Sequence, residues 1–157
     1  LAVNRKRPCR IETHQARTLA KNTLKLGNVL IEPECHLWGE DFHPSEIKAI
    51  GNIHLRRVDE PGSIRNKGKY KDKPLPYGAC CISTPKSILL SDSIIWMADF
   101  IITNKMKFVD AGATDITFWI YWYGTQGNME FTPKELSKIA ATNIPLCIDY
   151  IQISDDE

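Results

Sequence analysis

One uninterrupted run of β-branched and aromatic residues, Ile116–Tyr123, constrains the fold more than any other part of the chain. Its residues are apolar at successive positions, which indicates a strand covered on both faces. Alternation assigns one face to Ile116, Phe118, Ile120 and Trp122. It assigns the other face to Thr117, Trp119, Tyr121 and Tyr123. We expect one face to pack on helices. The other is either a second core layer, which we favour, or an aromatic surface available to a partner.

The residues after this run predict a helix and a second strand. Thr132 is a favourable N-cap, Pro133 suits the first helical position, and Glu135 completes a capping box. The strand that follows is Leu146–Ile153. The second half of the chain is therefore predicted to be a strand–helix–strand unit.

The first half of the chain contains a similar phrase. Phe42–Ile50 aligns with Phe131–Ile139, with Phe, Pro, Glu and two aliphatic positions matching. We interpret the pair as a duplicated strand–helix–strand unit. The predicted fold class is α+β, in which the duplicated units form a mostly antiparallel sheet with helices packed on it, ferredoxin-like in character.

The domain organisation follows from charge and pattern. We predict a basic N-terminal arm and helix at 1–30, a single α+β domain with the internal repeat at 31–153, and an acidic tail at 154–157. The main core helix is expected to begin near Ser87 or Ser91 and to end near Lys107. No apolar run is long enough to cross a membrane, so no membrane partner is predicted. Five cysteines without framework spacing suit a reducing compartment, and we expect a cytoplasmic protein.

Basic residues are concentrated in two segments although the net charge is only +1. The arm carries Arg5, Lys6, Arg7 and Arg10. The 61–77 loop carries Arg65, Lys67, Lys69, Lys71 and Lys73. Nucleic-acid binding through both segments is one hypothesis. We do not favour it, because lysine runs are more often solubilising and the second half of the chain is acidic.

Aromatic residues suggest a second hypothesis, a small-molecule pocket in a binding protein or enzyme. Its walls would be Trp38, Trp119, Tyr121 and Trp122, and its rim Glu40, Asp41 and His43. Aromatic walls with a few polar groups are typical of ligand sites.

Catalytic and metal-binding patterns are weak. The chain has no P-loop, dinucleotide-binding or nucleophile-elbow motif, and its spacing predicts no catalytic residue and no cofactor. The four histidines lack paired metal-ligand spacing. Cys35 and His36 would form a site with His43 or His54 only if the fold brought them together, so we predict no metal.

Several phrases resemble the bacterial domain-of-unknown-function family 4279. They are Leu37–Ile47, Arg65–Gly68, and Phe131–Leu136 followed by Leu146–Tyr150. The similarity covers about residues 34–153. It implies a bacterial α+β domain of no established activity, and it transfers no catalytic residue.

These observations favour a non-enzymatic binding or protein-interaction module, immunity-like or regulatory. The absence of a catalytic set from the sequence pattern, together with the aromatic strand, leads to this hypothesis. We expect a homodimer slightly more than a monomer, because an uncovered aromatic sheet face would be a large apolar patch that a symmetric partner could bury.

Overall fold

The computed structural model describes residues 30–51, 53–124 and 129–152. The five strands are β1 (Leu30–Gly39), β2 (His54–Asp59), β3 (Gly78–Ser83), β4 (Asp115–Gly124) and β5 (Leu146–Gln152). The helices are α1 (Pro44–Ile47), α2 (Ser93–Asp110) and α3 (Pro133–Ala141), with a 3₁₀ turn at Leu90–Asp92. The predicted α+β class is confirmed. The predicted basic arm and the acidic tail lie outside the described residues.

The strands form one mixed sheet in the order β2-β3-β1-β4-β5. β1 is central and antiparallel to both β3 and β4, while β2 is antiparallel to β3. β5 is parallel to β4. A parallel pair requires a crossover connection, which α3 supplies here.

The two similar phrases are built differently in three dimensions. β4 and β5 are direct neighbours, whereas β3 lies between β1 and β2. Thr132 and Glu135 form the predicted capping box at α3. His43, at the corresponding position before α1, makes no side-chain cap hydrogen bond. The structure does not confirm the duplicated units or the ferredoxin-like character.

The apolar core lies between one face of the sheet and the helices. α2 contributes Ile94, Met97, Ala98, Ile101 and Phe108, spaced at helical intervals. The sheet contributes Cys35, Leu37, Ile82, Phe118 and Ile120 among others. The prediction that one face of β4 packs on helices is confirmed. Ile102 and Met106 also fit the helical pattern, but both are exposed on α2.

Pro33 shows how the central strand accommodates a residue that cannot donate a backbone hydrogen bond. Proline within a sheet is usually confined to an edge strand or to the first residue of a strand, but β1 is central. Pairing of β1 with β3 begins at Glu34, one residue after Pro33. At Pro33 itself, the Thr84 hydroxyl donates a hydrogen bond to the backbone carbonyl at 3.3 Å. Pro33 therefore lies where the ladder to β3 has already ended.

Candidate functional site: the polar face of the sheet

The second face of β1 is polar although it is as central as the first. Alternation places Glu32, Glu34, His36 and Trp38 opposite the apolar side that carries Cys35 and Leu37. We call this side of the sheet the polar face. In the described residues, α2 and α3 pack on the other side.

Strand register brings distant residues of the polar face together. Glu34 lies opposite Ser83 on β3 and Trp119 on β4. His36 lies opposite Cys81, which in turn lies opposite Arg56 on β2. Because directly opposed side chains in antiparallel strands are close neighbours, one polar cluster spans β2, β3 and β1.

Glu34 is the centre of this cluster. Its Oε1 accepts hydrogen bonds from Arg56 Nη1 at 2.7 Å and from Ser83 Oγ at 3.0 Å. Its Oε2 lies 3.0 Å from Nε2 of the buried His36. Burial by itself raises the pKa of Glu34, but the His36 hydrogen bond and charge, with Arg56 and Ser83, outweigh it and lower the pKa. Glu34 is therefore held as a carboxylate.

Glu32 occupies the next position along the same face, and its environment acts in the opposite direction. Burial raises the pKa of Glu32, and this outweighs the attraction of Arg56 and the hydrogen bond with Tyr123. Burial and then Glu32 raise the pKa of Tyr123. Burial by itself lowers the pKa of Arg56. The charges of Glu34 and Glu32 outweigh this effect, raise the pKa and keep Arg56 cationic. The cluster thus holds one ionised acid next to one that resists ionisation.

Two rings of β4 border the cluster, and the first of them stacks on His36. The His36 ring stacks on Trp119, with centroids 5.1 Å apart and planes 21° apart. Trp119 stacks on Tyr121, with centroids 5.8 Å apart and planes 19° apart. Because Trp119 and Tyr121 are only partly buried, they present aromatic surface beside buried charged groups. We call Trp119 and Tyr121 the aromatic pair.

The predicted four-aromatic pocket does not assemble. Trp122 points to the opposite face of β4 and packs on Tyr150, with ring centroids 4.8 Å apart. Trp38 is on the polar face, but it packs on Tyr77 at the far end of β1. The strand alternation separates Trp122 from its neighbours on β4, and four residues of strand, about 13 Å, separate Trp38 from Glu34.

The predicted acidic rim lies away from the aromatic pair. Glu40 and Asp41 are exposed in the turn after β1, and His43 is exposed at the start of α1. His43 Nδ1 is 3.8 Å from a carboxylate oxygen of Glu60. None of the described contacts links these three residues to the aromatic pair.

The basic loop is built of turns with two isolated β-bridges. Arg65 forms an ion pair with the buried Asp59 and so contributes to the structure. The lysines at 67, 69, 71 and 73 are exposed. Lys69 Nζ lies 5.2 Å from the centroid of the Tyr70 ring, and Lys71 Nζ lies 3.9 Å from Asp72. The arm residues Arg5, Lys6, Arg7 and Arg10 lie outside the described residues, so nucleic-acid binding stays a prediction.

Cys35 and His36 do not belong to one site, because adjacent residues of a strand point to opposite faces of the sheet. Cys35 and Cys80 are in the apolar core, where burial raises the pKa of both thiols, that of Cys80 to about 12. His36 instead meets Glu34 and Cys81, whose potential ligand atoms all lie within 4.8 Å of one another. Sequence reasoning missed this group.

The residues missed at the sequence level are Glu32, Glu34, Arg56, Cys81, Ser83 and Tyr123. One signal was present: acidic, acidic and imidazole groups alternate at 32, 34 and 36 within a strand. This pattern places three ionisable groups on one face. The contributions of β2 and β3 depend on strand order, which the local pattern does not encode.

Comparison with known proteins yields no family for this chain. A scan against family models and searches of curated proteins and solved structures gave no significant match. In the described residues, no helix is both long enough and apolar enough to span a membrane.

Proposed function

We propose that this protein is a non-enzymatic binding module whose ligand, or whose partner's side chain, docks on the polar face against the aromatic pair. The observation that carries the proposal is the Glu34–His36–Arg56 cluster, in which Glu34 and His36 are buried and Arg56 is partly buried, beside partly exposed rings. Buried ionic groups cost desolvation energy, and apolar residues of similar volume would often stabilise a fold as well or better. Retaining such a cluster suggests a role other than stability.

Binding fits the cluster better than acid–base catalysis does. Both oxygens of Glu34 are engaged, and its lowered pKa keeps it ionised at neutral pH. A general acid or base works best with a pKa near the working pH. Glu34 is therefore suited to holding its neighbours in position rather than to exchanging protons.

The charge balance of the polar face favours a cationic ligand. Five carboxylates occur on this face, those of Glu32, Glu34, Asp59, Asp115 and Asp149. Arg56 pairs with Glu34, and Arg65 pairs with Asp59. Ring faces also attract cations through their quadrupole. The preferred ligand class is therefore a flat or aromatic group that carries a positive charge.

Saturation-transfer NMR with two probes of opposite charge tests this proposal. We expect phenyltrimethylammonium, but not benzoate, to receive saturation from the protein in chelator-treated buffer. Trp119→Ala should abolish the signal. Trp122→Ala is the matched control, on the same strand but the opposite face, and should preserve it. Equal signals from both probes, no signal from either, or a signal that survives Trp119→Ala would reject the proposal.

We also propose a homodimer, formed through the edge of β5 rather than through the aromatic pair. The face of β5 opposite the polar face carries Leu146, Ile148 and Tyr150, whose side chains are 39%, 47% and 42% exposed. An edge strand with an apolar row is prone to pair with another strand. The other edge, β2, carries two arginines and an irregular register between Arg56 and Asp59, which disfavour such pairing.

Light scattering after gel filtration tests the dimer. Wild-type protein should elute at twice the chain mass, and Ile148→Lys should elute as a monomer. Leu89→Lys, at another exposed apolar residue, should leave the dimer intact. A monomeric wild type, or an Ile148→Lys dimer, would contradict the proposal.

The remaining parts of the functional hypothesis rest on sequence pattern. Bacterial origin and membership of family 4279 rest on the quoted phrases, cytoplasmic location rests on cysteine usage, and the duplicated, ferredoxin-like origin rests on the Phe42 and Phe131 phrases. The immunity-like or regulatory role is a hypothesis from the sequence alone, and none of the described contacts bears on it. Nucleic-acid binding is the alternative, and it requires an affinity that falls steeply with salt.

A further inference from the structure

Three residues of the polar face carry the donor set of a transition-metal centre. Glu34 supplies a carboxylate oxygen, His36 an imidazole nitrogen and Cys81 a sulfur, all within 4.8 Å of one another. All three residues are buried. Sulfur, nitrogen and carboxylate oxygen are the three ligand types that zinc takes from proteins.

Strand geometry explains why the three donors converge. His36 and Cys81 are directly opposed on antiparallel strands, and Glu34 is two residues from His36 on the same face. Ligand atoms of a tetrahedral zinc ion lie about 3.3–3.8 Å apart, given the usual zinc bond lengths. Glu34 and His36 are already 3.0 Å apart. The strand register already brings the three donor atoms within 4.8 Å of one another.

The surroundings supply the support that a metal ligand needs. Arg56 and Ser83 both donate to Oε1 of Glu34 and fix the carboxylate. Outer contacts of this kind orient metal ligands and tune their affinity. Within the described part of the chain, Nδ1 of His36 is buried and has no hydrogen-bond partner. Because Nε2 makes the contact with Glu34, only a metal bound at Nδ1 would complete the bonding of the imidazole, and a metal bound at Nε2 would leave Nδ1 unpaired.

Charge compensation also fits a divalent ion. Glu34 and a Cys81 thiolate would balance the two positive charges of the metal. Arg56 is the obvious obstacle, but Glu32 lies close enough to interact with it electrostatically. The group with a bound dication is electrically neutral only when Glu32 is ionised, and an uncompensated charge would be costly in a buried site.

We propose that Glu34, His36 and Cys81 bind one zinc-class divalent ion, with a further coordination position for water or a donor atom of a ligand. Three protein ligands and one exchangeable position are the pattern of open zinc sites. This proposal does not depend on cation binding by the aromatic pair, since its ligands belong to β1 and β3.

Cobalt is the probe for the first test, because Co²⁺ bound to a thiolate gives a near-ultraviolet charge-transfer band. Chelator-treated full-length protein should bind one equivalent of Co²⁺ with this band, and Zn²⁺ should displace it. Cys81→Ser should remove the band and weaken binding at least about tenfold. Cys80→Ser, the adjacent thiol on the opposite face, is the matched control and should keep the band.

A second measurement covers the case in which Cys81→Ser fails to fold. Wild-type protein loaded with ¹¹³Cd²⁺ should give one resonance, shifted as expected for a single sulfur ligand. His36→Gln should lose this resonance while it keeps the circular dichroism spectrum of the wild type. Absence of a cobalt band in the wild type, a band that persists in folded Cys81→Ser, or a cadmium shift typical of two or more sulfurs would each overturn the proposal.

Discussion

The two faces of β1 are buried to a similar degree but by different chemistry. On the helix side, Cys35 and Leu37 are 0% and 2% exposed. On the polar side, Glu34 and His36 are 4% and 6% exposed. The first pair gains stability from apolar contact, whereas the second needs hydrogen bonds to offset desolvation. The exposed fraction of a side chain therefore does not distinguish the apolar core from the candidate site. The two differ in that the buried groups of the site need specific hydrogen-bond partners.

The largest expected effect is on the helix side. Phe118→Ala should lower the free energy of unfolding by about 3–5 kcal/mol, because it removes a fully buried ring from the core. Urea denaturation measures the loss. Trp119→Ala, the next residue on the polar face, is the comparison and should cost clearly less because the ring is only partly buried. Equal losses would mean that both faces serve as core.

A smaller effect is expected at Glu34 in metal-free protein. Glu34→Gln should lower the free energy of unfolding by about 2 kcal/mol at pH 7, because it weakens charge-assisted hydrogen bonds with Arg56 and His36. The folded-state pKa of Glu34 is lowered, so its stabilisation is complete above the ordinary value of 4.5.

The pH dependence of this difference provides the check. Stabilisation by Glu34 should disappear as the pH falls through its folded-state pKa, so wild type and Glu34→Gln should converge in acid. Thermal unfolding between pH 7 and pH 3 measures the convergence. A difference that is independent of pH would show that the ionised carboxylate is not what stabilises the cluster.

The smallest effect, with the opposite sign, is expected at Glu32. The folded-state pKa of Glu32 is raised above 4.5, so ionisation opposes folding as the pH rises through and beyond that value. Glu32→Gln should therefore stabilise metal-free protein by about 0.5 kcal/mol at pH 7 and have no effect at pH 4. Denaturant midpoints at the two pH values measure it. Destabilisation at pH 7 would instead show that Arg56 depends on Glu32.

Local pattern was sufficient to predict one face of the sheet but not the other. The apolar alternation in Ile116–Tyr123 identified the helix-packed side of β4, and Thr132 with Glu135 identified the start of α3. Both signals lie within a few residues of the feature they predict. Alternation also predicted correctly that Trp119 and Tyr121 share a face, and the same rule excludes Trp122 from it.

Strand order determined the rest and could not be predicted locally. Insertion of β3 between β1 and β2 places Cys81 and Ser83 next to Glu34 and His36. Arg56 reaches Glu34 from β2, across β3, a contact 22 residues apart in sequence. β1 and β2 are consecutive along the chain but not adjacent in the sheet, so the polar cluster was not predicted. Its components come from three strands, and none of those strands alone has the chemistry of the site.

The most direct test of the central claim is a map of ¹⁵N–¹H chemical-shift changes on addition of phenyltrimethylammonium to the full-length protein. We expect the largest changes on the polar face, at Glu34, His36, Trp119 and Tyr121. We expect no change at the exposed apolar residues of α2, Ile102 and Met106. Changes concentrated on α2 or on β5, or none on the polar face, would contradict the claim that this face is the binding surface.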